Sequence, residues 1–124
     1  MKKKTITEID ILNKATEILE RPNAKGFGWT QHALAKNLHG QTEVSSKGAC
    51  RFCSVGVIKR AAFELGVEGA LDHFNPPPAV NKAKRRLSVV MGGNIILSND
   101  ASRTTFPQVL IAFDLAKTDA GLAY

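Results

Sequence analysis

Cysteine is scarce in this sequence: Cys50 and Cys53 are the only two, and they stand three positions apart. A small secreted domain held by disulfides draws on a larger set, so the expected compartment is reducing, the cytoplasm of a bacterial host. Aromatic residues are also few, one Trp, one Tyr and six Phe, which leaves little material for an interface built mainly on stacked bases. Long apolar runs are missing. None approaches the roughly 18 residues of a membrane span, and no membrane partner is expected. The basic start, Met1 to Lys4, lacks an apolar signal core behind it, because Thr7 and Glu8 separate Ile6 from Ile9. Acidic residues are in deficit: 11 Asp and Glu face 17 Lys and Arg, a formal charge of +6 that turns attention to anionic partners.

What is present fits one globular domain. A chain of 124 residues can bury about two thirds of its unfolded surface and needs no covalent staple. Residues 1–6 read as a basic flexible tail and residues 7–124 as the domain. Thr7, with Asp10 three residues on, opens a helix whose apolar residues Ile9, Leu12, Ala15, Ile18 and Leu19 recur at helical spacing. Pro22 closes it. Thr30 is placed to cap a short helix over 31–38, stopped by Gly40. A third helix starts near Cys53, with Val57, Ile58, Ala61, Ala62 and Leu65 inward and Gly66 at its end. After the rigid Pro76-Pro77-Pro78 break, a fourth helix carries Val80, Ala83, Leu87, Val90 and Met91 on one face and stops at Gly92 and Gly93. The β-branched Ile95 and Ile96 make residues 94–100 an extended segment or buried connector. Pro107 suits the first turn of a last helix with Val109, Leu110, Phe113 and Ala116 inward. The expected class is therefore all-α: a compact domain of four to five helices with one short extended segment.

Four groups of residues carry chemistry. Cys50 and Cys53 have the spacing of half a zinc ribbon, but no second pair exists. His32 and His39 are poor additional ligands: on an unbroken helix they lie about 10 Å apart along the axis, whereas zinc holds its ligands at about 2 Å. No metal and no cofactor is expected. Cys53 at a helix start is a candidate nucleophile, since free amides and the helix dipole lower a thiol pKa there. His73 would be its base and Asn99 or Asp100 the orienting group. The plainer reading makes both cysteines small packing residues near Phe52.

Thr30 to Leu38 resembles the first helix of a helix-turn-helix. The polar stretch Gln41 to Gly48 stands where a recognition helix would follow. Lys82, Lys84, Arg85 and Arg86 cluster on the fourth helix, with Lys59, Arg60 and Lys2 to Lys4 adding to the total. That group is a candidate for phosphate neutralisation, or else a solvated helix face. Asn99, Asp100 and Arg103 lie in a turn-forming stretch, where Asn and Asp bond their own backbone, and form a candidate polar ligand site.

The order of these pieces carries a resemblance. Trp29-Thr30-Gln31 leads to Gly40; Cys53-x-x-Gly56 precedes Ala61 and Ala62; Asn99-Asp100 and Arg103-Thr104 lead to Val109-Leu110 and Ala112-Phe113-Asp114. It resembles a family of small uncharacterised domains of bacteriophages, prophages and actinobacteria. The resemblance implies a mobile-element setting and brings no catalytic residues. Without a complete catalytic constellation, the expectation is a non-enzymatic accessory protein that binds a host macromolecule, such as a defence component. The alternatives are a nucleic-acid binder acting through residues 82–86 and a thiol-dependent enzyme using Cys53.

Overall fold

Thr7 opens the first helix, α1 (Glu8–Leu19), with a reciprocal cap: its hydroxyl accepts from the Asp10 amide, and the Asp10 carboxylate accepts from the Thr7 amide. The computed structural model describes residues 5–122. Lys2, Lys3 and Lys4 of the expected tail, and Tyr124, lie outside the described residues, while Ile6 packs against the core. After α1 come two short strands, β1 (Ala35–Lys36) and β2 (Arg51–Phe52), then the helices α2 (Ser54–Glu64), α3 (Pro78–Val90), α4 (Ile95–Asp100) and α5 (Phe106–Ala116). A 3-10 turn at Asp119–Gly121 follows. The mostly helical class expected from the sequence is what the chain adopts.

The core lies where α1 meets α2, α3 and α5. Ile11, Leu12, Ile18 and Leu19 from α1 meet Val57 and Ile58, Val80 and Leu87, and Val109 and Phe113, all essentially without solvent contact. Removing such side chains from water supplies about 1.5–3 kcal/mol each. The ends follow from local chemistry. Thr105 and Gln108 form a second reciprocal cap at the start of α5. Gly92 and Gly93 adopt φ of +84° and +103° after α3, backbone that a side chain would strain.

Two sequence expectations are corrected. Residues 31–38 are not a helix, and the helix-turn-helix reading falls with it. His32 takes a left-handed φ of +68°, and Ala35 pairs antiparallel with Phe52. Backbone groups of this stretch bond to distant chain instead of to themselves. Thr30 N–H donates to the Phe52 carbonyl, the Leu34 carbonyl accepts from Cys53 N–H, and the Lys36 carbonyl accepts from Cys50 N–H. Leu34 and Leu38, whose spacing suggested an inner helical face, are 39 % and 42 % exposed. The second correction is residues 94–100, where Asn94 caps the helix α4 (Ile95–Asp100) in place of an extended piece. The Asn94 side chain accepts from Leu97 N–H at 3.0 Å and caps the turn, which outweighs the weak β preference of Ile95 and Ile96.

The loop between β1 and β2 is fastened to α2 by Arg60, which donates to the Val44 and Ser46 carbonyls at 2.8 Å each. Arg60 also meets Glu64 at 2.8 Å, and Glu64 receives Arg21 at 2.8 Å from the end of α1. Burial alone would raise the Glu64 pKa. The hydrogen bonds and charges of Arg21 and Arg60 outweigh it and hold the carboxyl at about 2, below its usual 4.5. A depressed carboxylate stabilises the fold above its unfolded pKa and loses that contribution as pH falls toward the folded value. Glu64→Gln should therefore cost on the order of 2 kcal/mol at pH 7, after allowance for solvent screening. The gap to the parent protein should close between pH 4.5 and about 2. Urea unfolding across that range checks it; a pH-independent gap would contradict the assignment.

Candidate functional site

α2 starts where β2 ends, and the junction puts Cys53 at the helix cap. Its sulfur accepts from Gly56 N–H at 3.3 Å. The thiol is 5 % exposed. Burial pushes its pKa up, and the backbone hydrogen bonds from Gly56 and Val55 do not offset this. Thiolate is scarce at neutral pH in such a setting. His73, the expected base, is exposed and stacks edge-on against Phe74 with ring centres 5.4 Å apart. It makes no hydrogen bond to Cys53, so the proposed nucleophile and base are not brought together. Iodoacetamide at pH 7 should label the half-buried Cys50 before Cys53, as read by peptide mass spectrometry; fast labelling of Cys53 would reverse this picture. Among the described residues no cluster of three or more His, Cys, Asp or Glu could hold a metal ion.

Asn99 is fully buried at the end of α4, and the protein itself takes up its side chain. Its oxygen accepts from the Trp29 indole N–H at 2.7 Å, from Ser54 N–H at 3.0 Å and from the Ser54 hydroxyl at 2.7 Å. Its amide donates to the Thr30 carbonyl at 3.1 Å and to Asp100 at 2.9 Å. Asp100 also accepts from His32 N–H at 2.9 Å, and the Gln31 amide donates to the Asn99 carbonyl at 2.9 Å. The indole stacks on Phe106 at 6.1 Å between ring centres, and Phe27 stacks on Phe106 at 5.8 Å. The Trp-Thr-Gln and Asn-Asp pieces thus meet in space, as one polar lock joining the segment after α1 to α4. Arg103, the third member of the expected ligand site, is exposed, and Asp100 turns to His32 and Asn99 rather than to it. Ser54, the lock's third element, has no distinguishing pattern in the sequence.

The four basic residues of α3 divide. Arg86 is tied down: it donates to the Ala116 and Thr118 carbonyls and stands 3.7 Å from Glu8. Lys82 and Arg85 are exposed, and Lys84 is half-buried. Lys84 and Arg85 line an open groove of about 450 Å³ together with Asn81 and Ser88 of the same helix. Val55 at the start of α2, and Ile95 and Ile96 of α4, form its apolar wall. Among the described residues no carboxylate lines it. Burial, and then the positive charge of Lys59, holds the Lys84 ammonium below its ordinary pKa. Lys59 is the residue that sequence reasoning passed over. It counted only toward the basic total; Lys59 is 7 % exposed while Arg60 beside it is half-buried, and nothing in the sequence separates the two.

A family of unknown function (DUF6197) matches residues 3–119. The chain belongs to this family. The matched span takes in the residues of both the Asn99 lock and the basic groove. No curated protein and no solved structure matches the chain. Among the described residues no helix is long and apolar enough to cross a membrane.

Proposed function

We propose that this protein acts by binding rather than by catalysis, and that its partner is a nucleic acid met along the outer side of α3. The observation that carries the reading is the groove in which Lys84 and Arg85 stand, with no carboxylate among its described lining residues. Lys82, one turn from Arg85, extends the positive strip. A run of cations along a helix is suited to a phosphate backbone, where each contact releases a condensed counterion. The buried, protonated setting of Cys53 and the full occupation of Asn99 favour binding over thiol chemistry. The motif likeness to phage and prophage domains supports a mobile-element setting, in which a short accessory chain meets host macromolecules. The charge of the groove favours host nucleic acid over host protein.

About three phosphate contacts predict that log affinity falls with log salt at a slope near −2 for single strands and about −3 for duplex. Fluorescence anisotropy with a labelled oligonucleotide at low salt reads it directly. The double variant Lys84→Glu, Arg85→Glu should weaken binding at least tenfold, while Arg103→Glu should leave it nearly unchanged. Absence of binding at low salt would overturn the reading. So would a stoichiometric host protein whose capture is insensitive to the double variant.

A further inference from the structure

Phe74 is 94 % exposed, more than any other large apolar side chain among the described residues. It sits in the loop that leads into α3, and that loop is braced. The Asp72 carboxylate accepts from Phe74 N–H and from Asn75 N–H at 2.9 Å each, so the loop's own backbone occupies its acidic group. Asp72 N–H donates in turn to the Gly69 carbonyl at 3.0 Å. Pro76, Pro77 and Pro78 then fix three successive φ angles. The His73 ring stands edge-on to the Phe74 ring, with 5.4 Å between centres. A stiff segment therefore holds the ring out in solvent, and little conformational entropy is lost when a partner covers it.

The same loop sets where the ring stands. The Asn81 side-chain amide donates to the Pro76 carbonyl at 3.4 Å, and Asn81 lines the basic groove with Lys84 and Arg85. Phe74 precedes Pro76 by two residues, so their Cα atoms are at most about 7.6 Å apart. Arg85 follows Asn81 by about one helical turn. An open aromatic ring thus stands beside the N-terminal end of the helix strip that carries the exposed Lys82 and Arg85.

We propose that Phe74 is a stacking platform for an unpaired base, and that the nucleic acid met along α3 is single-stranded. The inference deepens, and rests on, the reading of α3 as a nucleic-acid surface. A ring standing clear of the surface offers a π face that any unpaired base can cover. The bases of a duplex already stack on one another and present only their edges in the grooves. Cations and ring would divide the work: the cations hold the backbone and weaken with salt, while the ring adds an attraction that releases no counterion.

Fluorescence anisotropy at constant low salt tests this with one labelled sequence as a single strand, as a duplex, and as a single strand with abasic sites. The base-bearing single strand should bind about tenfold tighter than the abasic strand, and tighter than the duplex. Phe74→Ala, at a solvent position where truncation leaves the fold intact, should remove the advantage over the abasic strand. It should leave duplex and abasic binding unchanged and preserve the slope of log affinity against log salt, a slope that Lys84→Glu, Arg85→Glu should flatten. Phe74→Trp, which keeps a platform, should hold or raise the single-strand affinity. Equal binding of base-bearing and abasic strands would overturn the inference and leave the α3 reading standing. So would a duplex that binds as tightly as the single strand, or a Phe74→Ala loss that is the same for both. No binding of any strand would overturn both readings.

Discussion

Asn99→Ala should lower the unfolding free energy by roughly 4 kcal/mol, the largest loss expected of any polar substitution in the chain. Three donors converge on the Asn99 oxygen: the Trp29 indole, the Ser54 amide and the Ser54 hydroxyl. The Thr30 carbonyl depends on its amide. A buried group left without a partner costs about 1–3 kcal/mol. The hydroxyl can turn to another acceptor, and the half-buried indole regains some water. The Ser54 amide and Thr30 carbonyl have neither escape, because Ser54 is fully buried and Thr30 is 7 % exposed. Asn99→Asp keeps the acceptor but loses the donor to Thr30 and sets a second carboxylate beside Asp100, so it should rescue only part of the loss. Urea unfolding followed by Trp29 emission measures both variants. A change under about 1 kcal/mol for Asn99→Ala would show that the lock contributes little to stability.

Gly56→Ala should be nearly as damaging, against the usual trend. An alanine for glycine inside a helix ordinarily stabilises by close to 1 kcal/mol. At Gly56 a methyl group would run into the Leu34 carbonyl oxygen, and the Leu34 carbonyl carbon and Cα would lie only 2.7 and 3.2 Å away. These are backbone atoms, so no side chain can swing aside. The same carbonyl accepts from Cys53 N–H, so displacing the strand segment breaks the junction at the helix cap as well. The expected cost is about 3 kcal/mol, with loss of amide-exchange protection at Cys53. An unchanged or raised melting temperature would show that α2 and the Leu34 segment separate freely.

The sequence made α1, α2, α3 and α5 readable because each pairs a local cap or stop with an apolar stripe of helical period. Thr7 with Asp10, and Gly66 after Leu65, act within a few residues of where they stand. The segment over 31–38 misled for the opposite reason. Its spacing of Leu34 and Leu38 mimics a helix, but its backbone partners, Phe52, Cys53 and Asp100, lie elsewhere in the chain. α4 is too short for any periodicity to register, and only Asn94 marked its start. Asn99 stood out in the sequence as a turn former. Its burial could not be read there, because asparagine is mostly an exposed residue and its partners are up to 70 positions away. Lys59 was hidden similarly: a lysine in a helix reads as fully solvated, and the burial of its stem shows only once α2 is packed.

That long reach has a consequence for how the chain assembles during synthesis. The Trp29 indole and its acceptor are separated by 70 residues, so the contact closes late and against loop-closure entropy. While the ribosome is still adding α3, the segment around Thr30 has β2 as a partner but not α4, and its buried donors remain open to water or to chaperones. Completion of the nascent domain thus waits on the last third of the chain, which supplies both Asn99 and the core face of α5, and a fragment ending before Asn99 would leave the Ser54 amide and the Thr30 carbonyl without their partner.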